Sequence, residues 1–424
     1  MTAQSFVPLT SYRKTTLACM VLTGLAASLV WLALAAIPGA LGALIVVVAS
    51  ALFVGMVTLA SAGLVVLLRC RREAQGRSDL FLELNRSRDA DAVVAGSPAH
   101  VGRWRRWLGR RLFGHDLLVG DMVEVKSWAE IRASLDERGC LEGLPFMPEM
   151  TAMCGQRATV FRCMHRVFDY RKSRRMRHMD GAVLLVAAPC DGAHHGGCQA
   201  ACAIIWKAAW LRRLRVDGDA ARRPAPSAPP VDAAAEVAKF APPGPPYVCQ
   251  LTQIHAASRP IPPVSLRLFL LPLVSGNVAR AAFVVGWLTR LFNELQQWRG
   301  GVEFPGFRHT STKGAGPVHE EAPFSPGDAV VVRSASEIRA TLDERSLHRG
   351  LYFEPDMSKH CGKRRRVQAE VGRLIDIVTG EMRVMKTPAY ILQNVHFSGE
   401  RQLFNSQCEP LFWRAAWLSK DRAD

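Results

Sequence analysis

From Thr15 to Leu68 the chain carries no Asp, Glu, Lys, Arg or His. This stretch constrains the fold most, because one membrane span needs only about 20 apolar residues. Two spans and a turn therefore fit within it. Ile37-Pro38-Gly39 supplies the turn, since proline removes a helical donor and glycine permits reversal. The expected spans are residues 17–36 and 41–68. A cleaved signal peptide fits poorly, its apolar core being about 7–15 residues long. A hairpin buried inside a soluble protein is the weaker alternative.

Arg13 and Lys14 precede the hairpin, Arg69, Arg71 and Arg72 follow it, and the turn is uncharged. Basic flanks remain cytoplasmic. Both termini and the whole soluble region are thus expected in the cytosol, at the inner (cytoplasmic) membrane. Just beyond lies residues 103–113, where Trp104, Trp107, Leu108 and Leu112 are read as one helical face, with Arg103, Arg106, Arg110 and Arg111 around it. That composition suits an interfacial helix on anionic lipid, or equally a helix docked on the next domain. The net charge of +17 also calls for an anionic surface. The nearby anchor favours lipid over nucleic acid.

The soluble part repeats itself. Gly120-Asp121-Met122-Val123-Glu124-Val125 returns as Gly327-Asp328-Ala329-Val330-Val331-Val332. At the same offset Glu130-Ile131-Arg132-Ala133 matches Glu337-Ile338-Arg339-Ala340, and Leu135-Asp136-Glu137-Arg138 matches Leu342-Asp343-Glu344-Arg345. Trp206-Lys207-Ala208-Ala209-Trp210-Leu211 matches Trp413-Arg414-Ala415-Ala416-Trp417-Leu418. Two copies of one module of about 100 residues, an ordinary domain size, are expected. Each opens with an alternating strand and a helix bearing a capping box, Ser127 with Glu130 and Ser334 with Glu337. Each closes on a helix whose two tryptophans, four residues apart, share a face and anchor the core.

The expected fold is a membrane-anchored α+β chain, a two-helix transmembrane hairpin followed by two small β-barrel-like, SH3-like modules with added helices. Its segments are the hairpin (1–72), a basic juxtamembrane stretch (73–115), the Cys-rich first module (116–214), a Pro/Ala linker (215–246), a helical inter-module segment (247–320) and the second module (321–424). The apolar, periodic residues 281–298 should dock on a module and not span the membrane.

Eleven cysteines in a reducing compartment argue against disulfides. Residues 190–202 gather Cys190, His194, His195, Cys198 and Cys202 in a glycine-bearing loop read as entering a helix. Thiolates and neutral imidazoles are zinc donors. The expected ligands of one Zn²⁺ in the first module are Cys190, His195, Cys198 and Cys202, with Cys154 from an earlier loop. Inert thiols and an iron–sulfur or redox role are the alternatives. In the second module Cys361 stands opposite Cys154, Cys408 opposite Cys202, His396 opposite Cys190, and Phe404 or Asn405 opposite Cys198. At most three ligands survive, so that site is expected to be empty.

Met147-Pro148-Glu149-Met150 followed by Cys154-Gly155, Cys190-Asp191-Gly192 with His195-Gly196-Gly197-Cys198-Gln199-Ala200, and Trp206-Lys207 with Ala209-Trp210-Leu211 resemble an uncharacterised bacterial family of two-module proteins. The resemblance covers most of residues 116–418 and implies the two-module architecture, without a reaction. Phosphate loops, nucleophile elbows, HExxH and dinucleotide fingerprints are missing from the sequence. Glu149 and Asp356 are the acids placed to face a groove. The expected function is a membrane-tethered binding or scaffold protein with an unidentified protein partner. A redox or metal-dependent factor using residues 190–202 is the alternative.

Overall fold

A computed structural model of the chain describes residues 9–36, 40–95, 103–113, 115–214, 232–240, 246–262, 266–306 and 323–421. The chain divides into two units. One comprises Met1–Asn85, Arg280–His319 and Val332–Lys363, the other Arg86–Ala279, Glu320–Val331 and Arg364–Asp424.

The second unit is built on two five-stranded sheets. In the first, β1 (Met122–Val125), β4 (Arg157–Cys163), β7 (Ala182–Pro189), β8 (Ala203–Lys207) and β9 (Leu211–Arg213) lie in the order β8-β7-β4-β1-β9. Between β1 and β4 the hairpin β2 (Cys140–Leu141) and β3 (Leu144–Pro145) intervenes. β5 (Arg166–Phe168), β6 (Met176–His178) and β10 (Arg259–Pro260) form a small sheet of their own. The second large sheet takes β11 (Ala329–Val332), β14 (Arg364–Ile375), β15 (Met382–His396), β16 (Pro410–Trp413) and β17 (Leu418–Lys420) in the order β16-β15-β14-β11-β17. The two orders correspond strand for strand.

Alternation explains the first strand of each sheet. Val123 and Val125 are buried, as are Val330 and Val332, while their neighbours are more exposed. The helices expected to end the modules are absent. Trp206 lies within β8, and a single 3₁₀ turn, Ala208–Trp210, leads straight into β9. Ala415–Trp417 does the same between β16 and β17. All four tryptophans are nonetheless fully buried, as anchors should be. Alanines between tryptophans suggest a helix locally, but pairing with β1 and β7 decides the outcome. Each 3₁₀ turn joins opposite edges of its sheet. Among the described residues, hydrogen bonds close neither sheet into a barrel.

The loops ahead of β8 and β16 make matching bonds, one onto β14 and the other onto β5 of the small sheet. Gln199 N–H donates to the Arg373 carbonyl (3.0 Å), and Ser406 N–H to the Arg166 carbonyl (2.8 Å). The Gln199 side chain accepts from Gly372 N–H (2.7 Å) and Arg373 N–H (3.1 Å). Ser406 Oγ accepts from His165 N–H (3.3 Å) and Arg166 N–H (3.4 Å). Of the expected Pro/Ala linker, residues 232–240 and 246 are described. An alanine-rich helix, Ala233–Val237, forms there, and Trp128 Nε1 donates to Glu236 at 2.8 Å.

In the first unit, α1 (Leu9–Ala36) and α2 (Ala40–Ala74) pack on each other, with residues 37–39 outside the described residues. Within α2, Val46–Ala74 is long and apolar enough to cross a membrane. The helix Arg280–Trp298 packs on α2. It covers one end of the pair. Tyr12 meets Phe292 edge-on at 5.2 Å, and Gln296 Nε2 donates to Thr15 Oγ1 at 3.3 Å. Arg69 is buried there, bonded to Thr289 (2.9 Å) and paired with Asp79 (2.8 Å). Arg72 pairs with Glu83. Two of the flanking cations therefore neutralise acids of the protein itself, leaving Arg13, Lys14 and Arg71 exposed.

Candidate metal centre

Glycines shape the loop 190–202. Gly192 has φ +69°, and a Cβ there would lie 1.9 Å from the Cys198 carbonyl oxygen. Its own carbonyl accepts from His195 N–H (2.9 Å) and Gly197 N–H (3.0 Å). Cys190 N–H donates to the Cys202 carbonyl at 2.8 Å, closing the loop ahead of β8. The loop feeds a strand, so no helix N-terminus acts on Cys198 or Cys202.

His195 is nine-tenths buried or more, and its Nδ1 lies 2.6 Å from Glu149 Oε1, which also accepts from His194 N–H at 3.1 Å. Burial opposes charge on Glu149, but the His195 bond and nearby N–H donors outweigh it and lower its pKa. Glu149 Oε2 is buried and accepts no hydrogen bond. Glu149, Cys190 and His195 each offer one donor atom, all within 4.8 Å of one another. Glu149 comes from the 3₁₀ segment Pro148–Met153. The sequence singled it out as an acid facing a groove, without revealing His195 as its partner.

The other thiols gather nearby. Burial pushes the Cys190 thiol up to about 12, and Glu149, Cys198 and Cys249 add to the rise. Burial also raises Cys202 well above the usual thiol value, reinforced by Glu409, Cys249, Cys198 and Cys190. Cys249 was not foreseen. It is fixed by Gln250, whose side chain accepts from Ile205 N–H (2.7 Å) and donates to the Ile205 carbonyl (2.8 Å). On the other side, Tyr247 N–H reaches the Gly380 carbonyl at 3.1 Å. Cys154 lies in the core of the first sheet, 2% exposed, where burial alone raises its thiol to about 11. All eleven cysteines are free thiols.

The matching loop in the second sheet corrects the sequence alignment. Phe397 N–H donates to the Glu409 carbonyl (2.9 Å), as Cys190 does to Cys202. Gly399 has φ +73° and its carbonyl accepts from Gln402 N–H (3.2 Å), as Gly192 does from His195. Phe397, Gln402, Asn405 and Glu409 therefore stand where Cys190, His195, Cys198 and Cys202 stand. His396 and Cys408 are each one position out of register, because the deletion is made good earlier than the residue identities suggest.

The basic helix Arg103–Phe113 splits the face read from its sequence. Leu108 and Leu112 pack toward Leu118, Leu271 and Val274. Trp104 and Trp107 are exposed, and Arg111 sits 5.0 Å over the Trp107 ring. Arg106 does not face outward. It grips Asp121 with two bonds of 2.8 Å, supporting the turn before β1. Arg110 and Arg111 are exposed, and the Arg103 side chain lies outside the described residues.

A cavity of about 240 Å³ in the first unit is lined partly by Glu73, Arg77, Lys359 and Lys363. Lys359 pairs with Asp356 at 2.5 Å and Lys363 bonds the Gly76 carbonyl at 2.6 Å, so both cations already serve the fold. No protein-family model matches the chain, and a search of curated proteins finds no match.

Proposed function

We propose that this is a membrane-tethered binding or scaffold protein. Its α1–α2 hairpin is the anchor, both termini and the soluble region lie on the cytoplasmic side, and two SH3-like copies form the platform. A structural metal, zinc by donor type, resides in the first copy. The observation that carries the anchor is the exposure of apolar side chains along both helices. Leu22, Leu25, Leu29 and Leu32 of α1 stand open, as do Leu44, Val47, Leu52 and Val54 of α2, beyond the end covered by Arg280–Trp298. Such a surface is stable in hydrocarbon and costly in water.

The matched sheet orders and matching loop bonds support duplication, and the motif resemblance to two-module bacterial proteins points the same way. Exposed Trp104, Trp107, Arg110 and Arg111 suit contact with anionic lipid. A second reading, a redox or metal-dependent factor, draws on the gathering of thiols around Cys190. To test the anchor, membranes carrying the chain are washed with alkaline carbonate and with high salt. The protein should stay with the pellet until detergent is added, and tags at both termini should be cut only by cytosolic protease. Release by salt alone would refute the anchor.

A further inference from the structure

We infer that Glu149, Cys190 and His195 are the ligands of one divalent metal site, zinc by donor set, with its fourth position left for water. This rests on the reading that the first copy holds a metal and goes beyond it in the ligand set, where Glu149 replaces Cys154, Cys198 and Cys202. Carboxylate, thiolate and imidazole are all zinc donors, and three protein ligands leave tetrahedral zinc one open place.

Three observations support it. First, the donors already converge. A carboxylate oxygen, the sulfur and a ring nitrogen lie within 4.8 Å of one another. They come from two separate segments. Glu149 stands on the 3₁₀ segment Pro148–Met153, and the turn at Gly192 folds His195 back beside Cys190. Donors around tetrahedral zinc stand about 3.3–3.6 Å apart, so shifts of about 1 Å close the site.

Second, one donor has nothing else to do. The Glu149 side chain is 3% exposed and that of His195 6%. Oε1 accepts from His195 and from His194 N–H, but Oε2 is buried and accepts no hydrogen bond. A buried carboxylate oxygen without a donor is costly, and a cation bound there removes the cost.

Third, the second copy replaces the whole set. At the repeat offset Glu149 corresponds to Asp356, which pairs with Lys359 three residues on, at 2.5 Å. The first copy has Ala152 where that lysine stands. Phe397 and Gln402 stand where Cys190 and His195 stand. The copy without thiol and imidazole thus carries a cation for its acid on the same segment, and the copy with them does not. A divalent ion is balanced in charge by the Glu149 carboxylate and the Cys190 thiolate together. On binding, Cys190 loses its thiol proton to solvent, and the neutral imidazole keeps its proton on the nitrogen turned from the metal.

The full chain, purified in detergent with a reductant, is stripped by chelator and loaded with Zn²⁺ or Co²⁺, and bound metal is counted. About one ion per chain is expected. Glu149→Gln, Cys190→Ser and His195→Ala should each lower metal affinity about tenfold or more, while Cys154→Ser, Cys198→Ser and Cys202→Ser retain it. The cobalt form should show thiolate-to-cobalt charge-transfer absorption. Cys190→His should keep the ion and lose that absorption, which separates ligand loss from unfolding. Metal retained in all three variants of Glu149, Cys190 and His195, but lost in Cys198→Ser or Cys202→Ser, would overturn this ligand set and leave a metal in the first copy standing. A wild-type chain that takes up neither ion would overturn both readings.

Discussion

Two loops of one backbone design, residues 190–202 and 397–409, are held by different chemistry. Both turn on a glycine in the left-handed region, and both close with an N–H···O bond to the residue before the next strand. Gln199 docks on Gly372 and Arg373 of β14, and Ser406 on His165 and on Arg166 of β5. Yet one is packed with thiols and an imidazole, the other with Phe397, Asn405, Gln407 and Glu409. In the amide loop Asn405 bonds Gln402 and Gln407, while Glu409 Oε2 is buried without a hydrogen-bond partner. The thiol loop gains nothing comparable from neutral S–H groups, which are weak donors.

The largest effects should be alike in both halves. Trp210→Ala and Trp417→Ala each remove a fully buried ring and should each lower unfolding free energy by about 3–5 kcal/mol in urea titrations. A small effect at one site alone would break the correspondence. The next effect should differ between halves. Asp121 accepts from Leu118 N–H (2.9 Å) and is gripped by Arg106, whereas Asp328 accepts from Ser325 N–H (2.9 Å) at a more exposed turn. Arg106→Ala should cost about 1.5–3 kcal/mol by leaving a buried carboxylate short of its charged partner. Asp328→Ala should cost about 1 kcal/mol or less.

Within the loops, Asn405→Ala should destabilise by about 1–3 kcal/mol through stranded amide partners, without changing metal content. A fall in metal content would mean that the two joints are not separate. A further effect is one of pH. Burial holds His115 down to about 4, and its Nδ1 accepts from Leu117 N–H at 3.1 Å, which needs the neutral ring. The unfolded chain therefore binds the extra proton first as pH falls. Stability should be flat above about 6.5 and decline between about 6.5 and 4. His115→Gln should flatten that decline in thermal melts across pH.

The sequence made some of this legible and hid the rest for physical reasons. An uncharged apolar run, alternating valines and capping boxes are local signals, and Ser127–Glu130 and Ser334–Glu337 both form as read. The Trp pairs were legible as core but not as strand and 3₁₀ turn, since pairing with β1 and β7 is not local. Residues 190–202 announced themselves by composition. Cys249 did not, standing alone beyond the linker, where Gln250 bonded to Ile205 and Tyr247 bonded to Gly380 bring it in. Arg106 read as surface charge because its partner Asp121 lies across a turn. The register of the second loop depended on where a one-residue gap closes, which hydrogen bonds settle and identities do not.

The most direct test is amide exchange by mass spectrometry on the full chain in detergent, before and after metal is removed by chelator under reducing conditions. Exchange should rise at Gly372, Arg373 and Ile375, which donate to Gln199 and Cys198. It should stay unchanged at Arg166 and Phe168, which donate to Ser406 and Gln407. Unchanged protection at Gly372–Ile375 after the metal has gone would contradict a metal-held joint.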